Sequence, residues 1–283
     1  MRFFSQCPGP ECEANVCSPI PFAQVSTMVT IDEVLDIRST HNELICFVGA
    51  GGKTTTLFKL ARELKHPEKK VLVTTTTAIF YPDESDYDEI IVDRLKDSRM
   101  FNTVKEGSII VFAREVSPEN KLMGIDREFI EELYKKKLFH YILVEGDGSK
   151  RKPIKAPAFH EPVIPNSTRK TIGVIGLDSL GKKIDSNHVH RPELFCKVTG
   201  SKIGDTINEK VVAQLIGSPE GLFKGVPKGC QKYLLLNKAD NEQNKKAALK
   251  IIEIVKKDNS RIRGFIVATM ADERINAIKW WGR

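Results

Sequence analysis

Eight consecutive residues carry the clearest chemistry in this chain: Gly49-Ala50-Gly51-Gly52-Lys53-Thr54-Thr55-Thr56. They follow an apolar run, Leu44–Val48, and open a segment, Thr54–Leu64, in which Leu57, Leu60, Ala61 and Leu64 share one helical face. Glycines at a strand-to-helix turn let successive main-chain N–H groups curl around an anion, and the helix N-terminus adds a partial positive charge. Lys53 can reach terminal phosphates, and the Thr54 hydroxyl can ligate Mg2+. Gly49, Ala50, Gly51, Gly52, Lys53, Thr54 and Thr55 therefore form a candidate cradle for a nucleoside triphosphate.

The spacing departs from the Walker A pattern G-x-x-x-x-G-K-[ST]. Phe47 stands where its first Gly belongs, and counted from Gly49 the loop is two residues short. A bound cation also needs a carboxylate on a neighbouring strand. The apolar run Tyr141–Val144 ends in Glu145-Gly146-Asp147, so either acid is a candidate Mg2+ ligand, direct or through water. Thr74 to Thr77 end another β-branched run, where hydroxyls can hold Mg2+, position an attacking water or satisfy strand-end backbone groups. The candidate catalytic set is Lys53, Glu145, Asp147 and Thr76.

A base-recognition signal lies further on. The run Tyr233–Leu236 ends in Asn237-Lys238-Ala239-Asp240, which resembles the N-K-x-D signature of guanine-nucleotide-binding P-loop proteins. There the Asp accepts from the guanine ring N–H and exocyclic amine, and Lys covers the base. Adenine lacks that pair of donors, so GTP is favoured, with ATP as the alternative. The run Phe265–Val267 ends in Ala268-Thr269, about where such proteins place a backbone contact to the base.

The elements that must position these groups alternate strand and helix from Glu43 onward. Strand-like runs recur at Val71–Thr74, Ile90–Val92, Ser108–Phe112, Thr171–Ile175 and Gly264–Ala268, and helical patterns at Arg127–Lys136, Asn208–Ile216 and Asn241–Lys257. Apolar strands separated by helices predict an α/β fold, a mainly parallel sheet with helices on both faces and ligands at the carboxyl ends of its strands, and the glycine-lysine-threonine loop after the first strand makes it resemble the P-loop NTPase type. Thr30 is the expected N-cap of a short helix, with Glu33 completing a capping box. Residues 28–283 are expected to form a single domain, interrupted by a long Gly-, Lys- and Pro-rich loop or lid at 146–167.

Residues 1–27 are expected to be a disordered segment, with Cys7, Cys12 and Cys17 as reduced thiols among prolines. That segment has no apolar signal core, which makes the cytoplasm the expected compartment. A 41% hydrophobic content excludes a disordered chain, and no apolar run approaches the ~18 residues that cross a bilayer. The net charge of +7 is modest and interspersed, so nucleic acid is a disfavoured partner. No Ser-His-Asp, Cys-His or zinc-finger spacing stands out, which leaves phosphoryl chemistry by positioning and charge neutralisation.

Several strings together resemble the YqeC-like proteins. They are Gly49-Ala50-Gly51-Gly52-Lys53-Thr54, Thr74–Thr77, Glu145–Pro157, His160-Glu161-Pro162-Val163-Ile164-Pro165, His190-Arg191-Pro192-Glu193 and Asn237–Asp240. One departure is Gly146, where Ala is expected. The resemblance implies an accessory or selenium-cofactor biosynthesis role for selenium-dependent molybdenum hydroxylases, with such an enzyme or its pterin cofactor as partner. Thr54–Ala61 is also similar to the signal-recognition-particle branch of P-loop GTPases, whose second strand approaches the γ-phosphate.

Lys150, Arg151, Lys152 and Lys155 can neutralise the triphosphate, bind a second anionic ligand or form a solvated basic loop, with His160 and Glu161 at the far end of the same segment. His188 and His190 with Arg191 form another polar cluster. Two functions are therefore expected to compete: nucleotide hydrolysis that switches a partner-binding loop, or phosphoryl or nucleotidyl transfer to a small anionic acceptor lined by His160, Glu161, His190 and Arg191.

Overall fold

The structure, a computed structural model, describes residues 26–28, 30–37, 42–95, 97–258, 261–271 and 276–281. In chain order the first half comprises β1 (Ser26–Met28), α1 (Ile31–Val34), β2 (Glu43–Gly49), α2 (Lys53–Glu63), β3 (Val71–Thr75), β4 (Ala78–Phe80), β5 (Glu89–Val92), β6 (Ile109–Ala113), β7 (Glu115–Val116), β8 (Lys121–Met123) and α3 (Arg127–Lys135). The second half comprises β9 (Tyr141–Glu145), β10 (Ile154–Lys155), β11 (Lys170–Gly176), β12 (Val189–His190), α4 (Pro192–Thr199), α5 (Glu209–Gly217), β13 (Gln231–Asn237), α6 (Glu242–Lys257), β14 (Ile262–Ala268) and β15 (Asn276–Trp281).

Ten strands form one sheet in the order β1-β15-β14-β13-β11-β2-β9-β3-β6-β5. The eight from β14 to β5 are all parallel, as the helix-separated apolar runs predict. β15 and β1 add an antiparallel edge. Every residue of β2 is buried because both faces are covered. Leu44, Cys46 and Val48 pack with α3, α5 and α6, whereas Ile45 and Phe47 pack with α1 and α2 on the other face. Both packings share the same backbone, so a one-residue slip of β2 would exchange its two apolar sets.

The chain runs from β2 to β3 on one side and returns to β11 on the other, so the strand order reverses at β2. That reversal opens a crevice at the carboxyl ends of β2 and β11. Local caps fix the helices beside it. The Asn208 side chain accepts from Val211 N at 3.0 Å, and Asn241 accepts from Asn244 N at 2.8 Å. The Thr30 N–H donates to Glu33 Oε2 at 3.3 Å and the Glu33 N–H to the Thr30 side chain, the expected capping box.

Three features differ from the sequence reading. A small antiparallel sheet, β4-β8-β7, and the short helix α4 have no periodicity long enough to register. The 146–167 segment is not a free lid: Ile154, Ala156 and Ile164 are buried in the core, and β10 pairs parallel with β12. Finally, Ser26 and Thr27, expected to be disordered, belong to β1, while residues 1–25, including Cys7, Cys12 and Cys17, lie outside the described residues. Among the described residues no helix is long and apolar enough to cross a membrane.

Candidate nucleotide site

The glycines of the first loop are needed for space as well as for backbone freedom. Gly49, Gly51 and Gly52 have φ of 94°, 88° and 127°. A Cβ on Gly51 would lie 2.3 Å from Gly176 N, and one on Gly52 would lie 2.2 Å from Asn237 Nδ2. The loop is thus wedged between β11 and β13. Gly52 caps α2 without a side chain to accept from its first turn, so those amides point at the loop with no capping acceptor. The loop is shorter than a Walker A loop, yet it ends in the same strand-glycine-helix arrangement that binds anions.

β9 lies beside β2 with Glu145 opposite Phe47, which brings both acids to the loop. Thr54 Oγ1 donates to Glu145 Oε2 at 2.7 Å. Lys53 Nζ donates to Gly49 O at 2.7 Å and stands 3.6 Å from Glu145 Oε1 and 3.3 Å from Asp147 Oδ1. Asp147 also accepts from Gly49 N at 3.1 Å. Burial opposes the Lys53 charge, but Asp147 and Glu145 outweigh it and hold its pKa above the ordinary lysine value. Burial pushes the Glu145 carboxyl up, against the pull of Lys53 and Thr54.

The charges continue inward. Lys155 Nζ lies 3.0 Å from Asp147 Oδ2 and 2.7 Å from Glu161 Oε2, and donates to Gly148 O at 2.7 Å. Arg191 Nη2 donates to Glu161 Oε1 at 3.1 Å. Burial disfavours the Glu161 anion, but Arg191 and Lys155 overcome it and lower its pKa to about 2. Lys53, Lys155 and Arg191 thus balance Glu145, Asp147 and Glu161 in a mostly buried, neutral chain. Removing one partner from such a chain strands a buried charge, at a cost of roughly 3–5 kcal/mol.

This network redistributes the residues expected to face a ligand. Lys155 and Glu161 are buried and engaged internally, and His160 is exposed, edge-on to Phe159 at 4.8 Å. Lys150 and Arg151 are exposed with φ of 48° and 60°, and the Arg151 guanidinium sits 4.0 Å from the Phe80 ring centre. Lys152 donates to Asn187 O at 2.8 Å. His190 is half-buried; burial, then Arg191 and Lys155, lower its pKa to about 4 and keep it neutral. His188 pairs instead with Asp185, at 2.8 Å.

Three hydroxyls of the threonine run bond to backbone carbonyls. Thr74 donates to Phe112 O at 2.8 Å, Thr75 to Glu145 O at 2.9 Å and Thr76 to Val163 O at 3.1 Å. The Gly146 position is tight: a Cβ there would lie 2.8 Å from Cys46 Sγ, so the Ala expected by resemblance requires Cys46 to shift.

Two strands from β2, the end of β13 is tied to the loop itself. Asn237 Nδ2 donates to Gly51 O at 2.8 Å, and Asn237 Oδ1 accepts from Met270 N at 2.9 Å, joining β13, the loop and the end of β14. Lys238, with φ of 63°, pairs with Asp178 at 2.6 Å. Asp240 is exposed and accepts from Thr269 Oγ1 at 2.7 Å. Gly176, Asp178 and Met270 escaped the sequence reading because each matters through a contact across the sheet, for which no local spacing exists. Among the described residues no cluster of three or more His, Cys, Asp or Glu forms a metal site. The Thr54 hydroxyl and Glu145 carboxylate fit Mg2+, which commonly takes one or two protein groups and completes its shell with phosphate oxygens and water.

Comparison with known proteins agrees with this arrangement at the level of family. The profile of the YqeC protein family matches residues 45–193, which span the loop, both acids, the buried charge chain and Arg191. The uncharacterized protein YqeC of Escherichia coli (strain K12) is 35% identical over 212 residues, covering 74% of this chain and 81% of that protein. No solved structure matches. On the family profile and this identity together, the chain belongs to the YqeC family.

Proposed function

We propose that this chain binds a Mg2+-complexed nucleoside triphosphate, GTP in preference to ATP, and hydrolyses it. The observation that carries the reading is the bond from Asn237 to the Gly51 carbonyl. It links the strand end bearing Lys238 and Asp240 to the glycine loop, so one ligand can meet both. The first-turn amides of α2 and Lys53 would take the β- and γ-phosphates. Thr54 and Glu145 would hold Mg2+, which supplies charge neutralisation between phosphate oxygens. Asp147, enclosed by the Gly49 amide, Lys53 and Lys155, would set the position of Lys53. Asp240 would accept from the guanine edge, with Lys238 covering the base.

The biological context follows from the family resemblance: an accessory or maturation factor for a selenium-dependent molybdenum hydroxylase or its cofactor, switched by nucleotide turnover. The alternative, phosphoryl or nucleotidyl transfer to a small anionic acceptor, is favoured by a separate observation, a charged cavity beside Thr76. A panel of GTP, ATP and XTP with and without Mg2+, read by binding and phosphate release, tests the proposal. GTP-preferring, Mg2+-dependent release without an added acceptor supports hydrolysis. Absence of binding to any triphosphate refutes the nucleotide reading, and binding without release until an acceptor is added replaces hydrolysis with transfer.

A further inference from the structure

If a nucleotide base lies at the end of β13, its phosphates run across the strand order toward β2 and β9, and the terminal phosphate leaves on the side of Glu145 and β3. A cavity of about 410 Å3 opens on that side, within the size range of small-molecule sites. Thr76 and Thr77 form one wall, and Arg114, Asp126 and Arg127 contribute to the others.

One backbone hydrogen bond joins this wall to the candidate Mg2+ ligand. Thr76 N donates to Glu145 O at 3.1 Å, while the Glu145 side chain accepts from Thr54. The opposite turn is closely fitted: Gly124 N donates to Thr77 O at 2.7 Å and Ile125 N to Thr75 O at 2.9 Å. A Cβ on Gly124 would meet Thr76 C at 2.5 Å, so this backbone approach requires glycine.

The lining is charged in both signs. Among the described residues Arg114 pairs with Glu115 through Nη2 at 3.1 Å, and Arg127 with Glu128 through Nη2 at 3.3 Å. Both guanidinium groups are partly exposed, and a planar fork attached through one nitrogen can still receive an oxyanion on its remaining edge. Asp126 and Glu128 are acids of the same lining. A ligand that carries an ammonium or amide N–H beside its oxyanion matches a lining of both signs.

We propose that this cavity binds a second small ligand, an oxyanion-bearing molecule that also carries a cationic or N–H group. Its location beside the terminal phosphate rests on the nucleotide reading above; its affinity for an oxyanion does not.

The test uses O-phosphoserine, which combines phosphate, carboxylate and ammonium, titrated into the full chain by calorimetry with Mg2+ and a slowly hydrolysed GTP analogue in excess. Saturable binding is expected, weakened at least about tenfold by Arg114→Gln with Arg127→Gln, with GTP affinity unchanged. Lys53→Ala should lose GTP and keep phosphoserine. Phosphoserine binding by a wild type that takes no GTP sustains the cavity while refuting the nucleotide reading. Absence of saturable binding overturns the proposal, as does binding that Lys53→Ala removes and the double arginine variant leaves intact.

Discussion

The two ends of the candidate site are built to opposite specifications. Around β2 and β9 the ionic groups are buried and mutually paired, with Lys53, Asp147 and Lys155 almost sealed from solvent. At the ends of β13 and β14 the charged groups are open: Lys238 is partly exposed and Asp240 is exposed, with short side-chain contacts to Asp178 and Thr269 respectively. The first region tolerates little change, because the groups proposed to hold phosphate also hold the fold. The second can change partners without strain, which suits it to discriminating among bases. Asn237, buried and bonded to both, joins them.

The largest expected effect is therefore at the buried end. Lys155→Met should destabilise the chain by about 3–5 kcal/mol, read by urea unfolding, because Asp147 and Glu161 are left facing each other without their shared cation. A change below about 1 kcal/mol would show that this pair behaves as an exposed one and would erase the contrast.

At the open end stability should hold while specificity moves. Asp240→Asn should leave the unfolding midpoint within a few degrees, weaken GTP by roughly tenfold or more and admit xanthosine triphosphate, whose extra carbonyl accepts from the amide. Equal GTP binding by wild type and variant would remove the guanine assignment.

The sequence made the parallel sheet, the helices beside it and the loop readable because each rests on local periodicity or glycine spacing. Leu44–Val48 forms a buried strand as read, and the helical patterns read from Asn208 and Asn241 form helices that those two residues cap. The burial of Lys155 and Glu161 was not readable, since a lysine in a Pro-rich stretch looks solvated until Asp147 and Arg191 arrive from other strands and loops. The β4-β8-β7 sheet was hidden for a different reason: strands of two or three residues have no period to detect.

A smaller effect lies away from both ends. Glu63 accepts from Ile31 N at 2.6 Å and Asp32 N at 3.3 Å, and burial raises its pKa to about 7 despite these bonds. The folded state therefore favours the protonated acid. Its stabilising contribution is full below the ordinary value of 4.5 and is lost as pH rises toward 7. Glu63→Gln should flatten that part of the stability–pH curve, and an unchanged slope would place the dependence elsewhere. At the buried end the sign reverses. Glu161, lowered to about 2, stabilises above pH 4.5 and loses its contribution as pH falls through 2.

The central claim is that the glycine loop and Lys53 grip a polyphosphate tail. The most direct measurement is competition against Mg·GTP bound to the unmodified full chain, with inorganic tripolyphosphate and guanosine as rival ligands. Tripolyphosphate should displace GTP at far lower concentration than guanosine, because the tail supplies most of the affinity. Displacement by guanosine with indifference to tripolyphosphate would contradict it.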